Sequence, residues 1–379
     1  MKKMKKLIST LVLIVFLVCF TANARAAKIT ISDDAFLDIH GFVQGWLYMP
    51  IDHEGKDATV ITDFYLKRVR LLFGGQIAPN VKFFIGTLNG DMGKNGDMKP
   101  RTLIADAWVE YIIGDYLKVN AGLLKLPFSR HMQQSGAKLH GLDFHGSFLM
   151  RSGVAIGHRD MGVMIRGLLS EKQIDYRLAV VDGTEYNKTV IPGDPDADPP
   201  VPDDTVVTNE NDRPRIVGRI GYNAFDPEPG YFWAGTYLGK KKVVSFGASF
   251  DIQPGVGGDE GDELFYAFAF DAFVDIPMEE NGIVGTLNGY YFGPGGIIPE
   301  GYGLWGDFGY RIKKIEPLVA FEWYQPDEGD QGKRQAILGG LNWWLHGHNV
   351  NVKFQFGVDK LNGADEWTKT AIVQSQVFF

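Results

Sequence analysis

Cysteine is almost absent from this sequence, and the only one, Cys19, lies near the start of the chain. It falls within "MKKMKKLISTLVLIVFLVCFTANARAA", where a lysine-rich start precedes an apolar run over 7–20 and the small-residue stretch Ala24-Arg25-Ala26. That pattern reads as a secretory signal peptide over 1–26, so the exported chain carries no cysteine. With no disulfide available, an exported chain of this length needs a large core or a membrane to stabilise it. Long apolar runs are lacking too: nothing after the leader offers 18 apolar residues free of charge, which excludes a bundle of membrane helices. An excess of basic residues is also missing. Removing the leader leaves 33 basic against 46 acidic residues, a net charge of −13. That balance excludes nucleic acid as a partner.

Catalytic and cofactor motifs are equally scarce. There is no G-x-S-x-G elbow, and "PGVGGDEGDE" lacks the Lys-Ser/Thr that completes a phosphate-cradling loop. His346-Gly347-His348 supplies two potential ligands without a third, so it reads as a turn and not as a metal site. The expectation is a protein without catalytic residues, metal or cofactor.

What the chain has is glycine (47 residues), aromatics (13%) and alternation. In "NVNVKFQFGVD", Val350, Val352, Phe354 and Phe356 share one face, and Asn351, Lys353 and Gln355 the other. In "QIDYRLAVVDG", Ile174, Tyr176, Leu178 and Val180 alternate with Asp175 and Arg177. In "PRIVGRIGY", Ile216, Gly218, Ile220 and Tyr222 oppose Arg215 and Arg219. Segments of about ten residues with charge confined to one parity suit strands that face lipid on one side and water on the other. Tight links ("APN", "GDY", "SEKQ", "LHGH") alternate with much longer ones, as the turns and loops of a membrane barrel do.

The expected fold is therefore all-β, a transmembrane antiparallel β-barrel occupying 27–379. Sixteen strands are expected, from 37–48 to 369–379, enclosing an aqueous lumen. The stretch 226–242 reads as a long connection at the tight-turn end, with a hairpin adding two strands as the alternative. The final strand, "KTAIVQSQVFF", places Phe379 at the membrane rim, where aromatic girdles lie.

In order along the chain, "DFYLKRVRLLFGGQIAPNVKFFIG", "IADAWVEYIIGDYLKVNAGLLKLPFSR", "HRDMGVMIRG", "GTYLGKKKVVSFGASFDIQ", "IEPLVAFEW" and "GLNWWLHGHNVNVKFQF" resemble successive segments of the phosphate-selective porin O/P family. The resemblance runs from about residue 63 to the C-terminus. It implies a trimeric bacterial outer-membrane porin whose third extracellular loop, here 127–159, folds inward, and a C-terminal Phe379 strand read by the outer-membrane assembly machinery. Outer-membrane lipid and lipopolysaccharide would surround it. It also implies passive diffusion of small hydrophilic solutes, with arginines along the lumen and lysines at a constriction selecting anions, phosphate among them.

Matching chemistry is present at Arg68, Arg70, Arg166, Arg177, Arg215, Arg219, Lys118 and Lys353 on the lumen parity. Lys125, Arg130, Lys138 and Arg151 are the candidate constriction residues; rings of such cations favour anion passage. Lys125 stands on the lipid parity and would need a bulge to turn inward. Asp106, Glu110, Asp175, Asp271, Asp275 and Glu322 share the lumen parity, so part of the positive charge is expected to be paired, leaving a general or cation-preferring pore as the first alternative and an outer-membrane barrel enzyme or structural anchor behind it. The Pro- and Asp-rich stretch 184–212 is expected to be a solvated acidic extracellular loop.

Overall fold

The computed structural model describes residues 27–51, 62–99, 102–144, 158–184, 187–191, 204–209, 211–257, 263–294 and 299–379. Its strands are β1 (Ala27–Ser32), β2 (Ala35–Ile51), β3 (Asp63–Ala78), β4 (Val81–Met92), β5 (Leu103–Gly114), β6 (Leu117–Lys125), β7 (Arg159–Leu169) and β8 (Ile174–Val181). They continue as β9 (Asn187–Ile191), β10 (Asp204–Thr208), β11 (Arg215–Asn223), β12 (Val243–Gly257), β13 (Glu263–Met278) and β14 (Asn281–Phe292). The chain ends with β15 (Gly301–Ile312), β16 (Ile315–Pro326), β17 (Arg334–Trp343), β18 (Val350–Leu361) and β19 (Thr368–Phe378).

Sixteen of these, β2–β8 and β11–β19, form one closed antiparallel barrel. β8 pairs directly with β11, Arg215 opposite Val181, and β19 closes the ring on β2 from Lys369↔Ile51 to Phe378↔Phe42. Closure leaves no unpaired sheet edge to face lipid, where an unmade backbone hydrogen bond is costly. The alternation read from the sequence sets the two faces. Phe270, Val319 and Ile337 are 67%, 60% and 61% exposed on the outer wall, while their neighbours Asp271, Ala320 and Ala336 are buried inside.

The C-terminus is fastened at the barrel seam. The Phe379 amide donates to the Gly41 carbonyl at 2.9 Å, and the Gly41 amide to the Phe379 carbonyl at 2.8 Å. A side chain at Gly41 would put a Cβ 2.5 Å from the Phe379 ring, so this seam needs glycine. Where β19 ends, the short β1 takes over the edge of β2, pairing Ala27 with Ile39 and Thr30 with Phe36. This seventeenth strand on the main sheet was not expected from the sequence.

One end of the barrel carries short turns at 79–80, 115–116, 170–173, 279–280, 313–314 and 344–349. The other carries the longer loops, of which the third, 126–158, is called L3 below. Within the acidic stretch 184–212, β9 and β10 pair as a separate hairpin that the sequence reading did not include, Thr205 opposite Val190. The β-branched residues Thr189, Val190, Thr205, Val206 and Val207 supply the strand preference that the Asp and Pro content concealed. Its intervening residues 192–203, and 1–26, where a leader is expected, lie outside the described residues.

The connection 224–242 is the exception at the short-turn end. It forms no barrel strand, and it turns back into the barrel.

Candidate functional site

L3 begins where Pro127 removes a backbone donor after β6 and left-handed Ser129 (φ 70°) turns the chain. The Leu126 amide donates to the His158 carbonyl at 2.9 Å, closing the root of the loop. Leu126, Phe128 and Met132 are buried with Tyr290, Phe292 and Trp305, forming an apolar core inside the barrel.

The loop then crosses to the opposite wall. Gln376 donates to the Ala137 carbonyl at 2.9 Å, and Lys353 Nζ donates to the carbonyls of Leu139 at 2.8 Å and Gly141 at 2.6 Å. His140 sits between two wall carboxylates, with Nδ1 3.2 Å from Asp307 and Nε2 3.1 Å from Glu316. Burial alone would depress this imidazole, but the carboxylates of Asp307 and Glu316 outweigh it and raise the pKa to about 10. His140 is therefore an imidazolium at neutral pH. Asp143 ion-pairs with Arg68 as the loop returns; burial would raise its carboxyl, yet Arg68 and Lys67 hold it at about 2.

The 224–242 insert meets L3 from the other end. Trp233 forms a parallel bridge with Gln134: the Trp233 amide donates to the Gln133 carbonyl at 3.0 Å, and the Ser135 amide to the Trp233 carbonyl at 2.9 Å. The Gly235 amide donates to the Lys138 carbonyl at 2.7 Å. Glu228 accepts from Arg130 Nε at 3.1 Å, and Arg177 reaches the carbonyls of Tyr231 at 2.7 Å and Gly230 at 2.9 Å while lying 4.0 Å over the Trp233 ring. His348, in the β17–β18 turn, bonds the Thr236 carbonyl at 2.8 Å; burial lowers its pKa to about 3, so it holds the insert as a neutral ring. The two inserts make one hydrogen-bonded body within the lumen.

The cations expected from the sequence divide by partner. Most wall arginines are paired: Arg70 with Asp106 at 2.7 Å, Arg177 with Asp175 at 3.4 Å, Arg219 with Asp271 at 2.8 Å, Arg166 with Glu110 and Arg215 with Asp251. Arg130, a candidate constriction residue, is fully buried on Glu228 and lies 3.4 Å over the Phe273 ring. It fastens one insert to the other. Lys138 is exposed to solvent at the L3–insert junction. Arg151 lies outside the described residues.

Lys118, Lys125 and Lys353 have no carboxylate within 4 Å among the described residues. Lys353 is committed to the L3 carbonyls. Lys125 lies inside the barrel, its Nζ donating to the Gln134 carbonyl at 2.7 Å. No register shift separates Lys118↔Arg166 from Lys125↔Arg159, so the inward turn comes without the expected bulge; left-handed Gly122 (φ 127°) precedes it. Around Lys125 stand Arg68, Arg70 and Arg159, whose described carboxylate partners are Asp106 and Asp143. Asp106 is shared by two guanidiniums, with Arg159 Nε at 2.8 Å. Among the described residues, this junction of L3 with β3–β7 thus gathers Lys125, Arg68, Arg70 and Arg159 beside the carboxylates of Asp106 and Asp143, and Lys67 also lies 3.5 Å from Asp143.

Sequence reading missed Glu228 and Trp233. The only signal for them was the unusual aromatic content of a connection at the tight-turn end. Among the described residues, no group of His, Cys, Asp and Glu could hold a metal ion.

No protein-family model matches the chain, and no curated protein matches it. Solved structures do. The outer membrane channel DcaP of Acinetobacter baumannii superposes with a TM-score of 0.57 at 11% identity, over 93% of this chain and 100% of that one. The chain has the fold of the outer-membrane porins. OmpF of Salmonella typhi, in complex with daunomycin, gives 0.56 at 12% identity over 93% and 100%. The anion-selective porin from Comamonas acidovorans gives 0.56 at 13% over 91% and 100%.

Proposed function

We propose that this protein is an outer-membrane channel for passive diffusion of small hydrophilic solutes, with a preference for anions and phosphate as a candidate solute. One observation carries the reading: among the described residues at the L3 junction, Lys125, Arg68 and Arg70 gather about the carboxylates of Asp106 and Asp143. In a narrow, partly desolvated passage clustered positive side chains attract anions and repel cations. The porin fold and the resemblance to the phosphate-selective porin O/P family agree with it. On this reading the short-turn end faces the periplasm, the barrel sits among lipid and lipopolysaccharide as a homotrimer, and the Phe379 strand is the segment recognised by the assembly machinery. Lys125, Lys138 and Arg151 are the proposed filter residues, and the paired wall arginines contribute stiffness.

The pairing of Arg166, Arg177, Arg215 and Arg219 with carboxylates favours the second reading, a general porin with weak selectivity, because a neutralised pair adds little field. Single-channel recording in chloride, with phosphate titrated in, separates the two. Saturable block of chloride current by phosphate is the expected result. Chloride conductance indifferent to phosphate would reject phosphate as a bound solute, and absence of conductance would reject the channel reading.

A further inference from the structure

We propose that the L3 junction is a binding subsite for anions that carry an aromatic ring, aryl carboxylates as a class. The proposal rests on the anion-channel reading above and names the solute chemistry that the same junction recognises best. Its first support is the arrangement of rings around the cations. Phe84 from the barrel wall, Phe144 from L3 and Phe232 from the 224–242 insert come from three separate parts of the chain. Each remains only partly buried, although each packs against the apolar core.

Phe84 stacks on Trp108 with centroids 5.5 Å apart and meets Phe232 edge-on at 5.4 Å. Lys125 Nζ lies 5.1 Å from the Phe144 centroid and 6.0 Å from that of Phe232, and the Arg68 guanidinium lies 5.7 Å from Phe144. The partly buried Phe144 and Phe232 therefore stand beside the Lys125 amine, and Phe144 beside the Arg68 guanidinium as well.

Unused hydrogen-bond donors give a second, independent support. Trp108 is 9% exposed, and its Nε1 donor is buried with no partner among the described residues. Lys125 is 3% exposed, and its ammonium has three donors but one acceptor there, the Gln134 carbonyl. Buried donors without acceptors are costly, and an arriving carboxylate supplies acceptors. Small inorganic or aliphatic anions would satisfy the charge but leave the rings uncovered. A benzoate-like anion meets both needs, its carboxylate toward Lys125 and Arg68 and its ring against the phenylalanines.

The test compares benzoate with acetate, which carry the same charge and carboxylate, as blockers of chloride current through the full-length protein at neutral pH. Ring stacking of this kind predicts that benzoate blocks at a concentration about two- to tenfold lower than acetate. Phe144→Leu and Phe232→Leu are expected to bring the two acids together. The wild-type comparison stands without either variant, so equal block by the two acids overturns the proposal while leaving the anion reading intact. A potassium-directed reversal potential before either acid is added overturns the anion reading and this proposal with it.

Discussion

Arg130 Nε donates to Glu228 Oε2 at 3.1 Å, and these residues reach one another from opposite ends of the barrel. Arg130 belongs to L3, and Glu228 to the connection between β11 and β12. Both are buried, so each depends on the other for neutralisation. Removing one partner of such a pair leaves an uncompensated charge, at a cost of about 3–5 kcal/mol. Glu228→Gln and Arg130→Met are each expected to lower the thermal unfolding temperature and raise single-channel conductance as the inserts separate. A double variant less destabilised than the sum of the singles would show that the pair acts as a unit.

Gly235 offers a steric test of the same junction. A Cβ there would lie 2.4 Å from the His140 amide nitrogen, so Gly235→Val must push L3 and the insert apart. Conductance is expected to rise as it does for Glu228→Gln, with the barrel's β-sheet circular dichroism retained. Unchanged conductance in both variants would mean that the inserts do not limit the path.

The His140 clamp gives a pH dependence with a definite sign. Its pKa rises from an ordinary value of about 6.5 to about 10 on folding. The stabilisation is therefore fully present below about pH 6.5, declines above it, and is lost as pH rises through about 10. The unfolding-temperature difference between wild type and His140→Gln is expected to shrink across that window, measured from pH 6 to 11. A constant difference would contradict the imidazolium assignment.

Paired and unpaired cations are expected to behave differently. Arg215 and Asp251 are both fully buried and bonded to each other, with Arg215 Nε 2.6 Å from the carboxylate. Replacing both with apolar residues removes no net charge, and such double replacements are often close to neutral in stability. The chloride-to-potassium permeability ratio of Arg215→Met with Asp251→Leu is expected to match wild type.

Much of the barrel was legible because lipid imposes a strict pattern. A strand facing hydrocarbon on one side cannot place charge there, so Arg177, Arg215 and Arg219 revealed their face by parity alone. The sequence places Phe379 at the membrane rim, but not its backbone pairing with Gly41 at the barrel seam. The short β1 went unseen because six residues, 27–32, carry too little pattern to distinguish a strand from a tail.

The interior was less legible, for a physical reason. Inserts inside a barrel face neither lipid nor bulk water, so no periodicity marks them. Trp233, Tyr231 and Glu228 resemble ordinary connection residues until Arg177, Gln133 and Arg130 close around them. Lys125 also escaped strict alternation because the strand ends there and the chain is already turning into L3. Pairing was only half visible: sequence parity showed that carboxylates and arginines share the lumen, but not that Asp106 serves two arginines while Lys125 has no carboxylate partner among the described residues.

The reversal potential of the purified protein in a planar bilayer under a KCl gradient tests the central claim most directly. The cations gathered around Lys125 predict a chloride-directed potential that moves toward zero in Lys125→Met. A potassium-directed potential in the wild-type channel would contradict the account, because the luminal carboxylates would then outweigh the cations at the L3 junction.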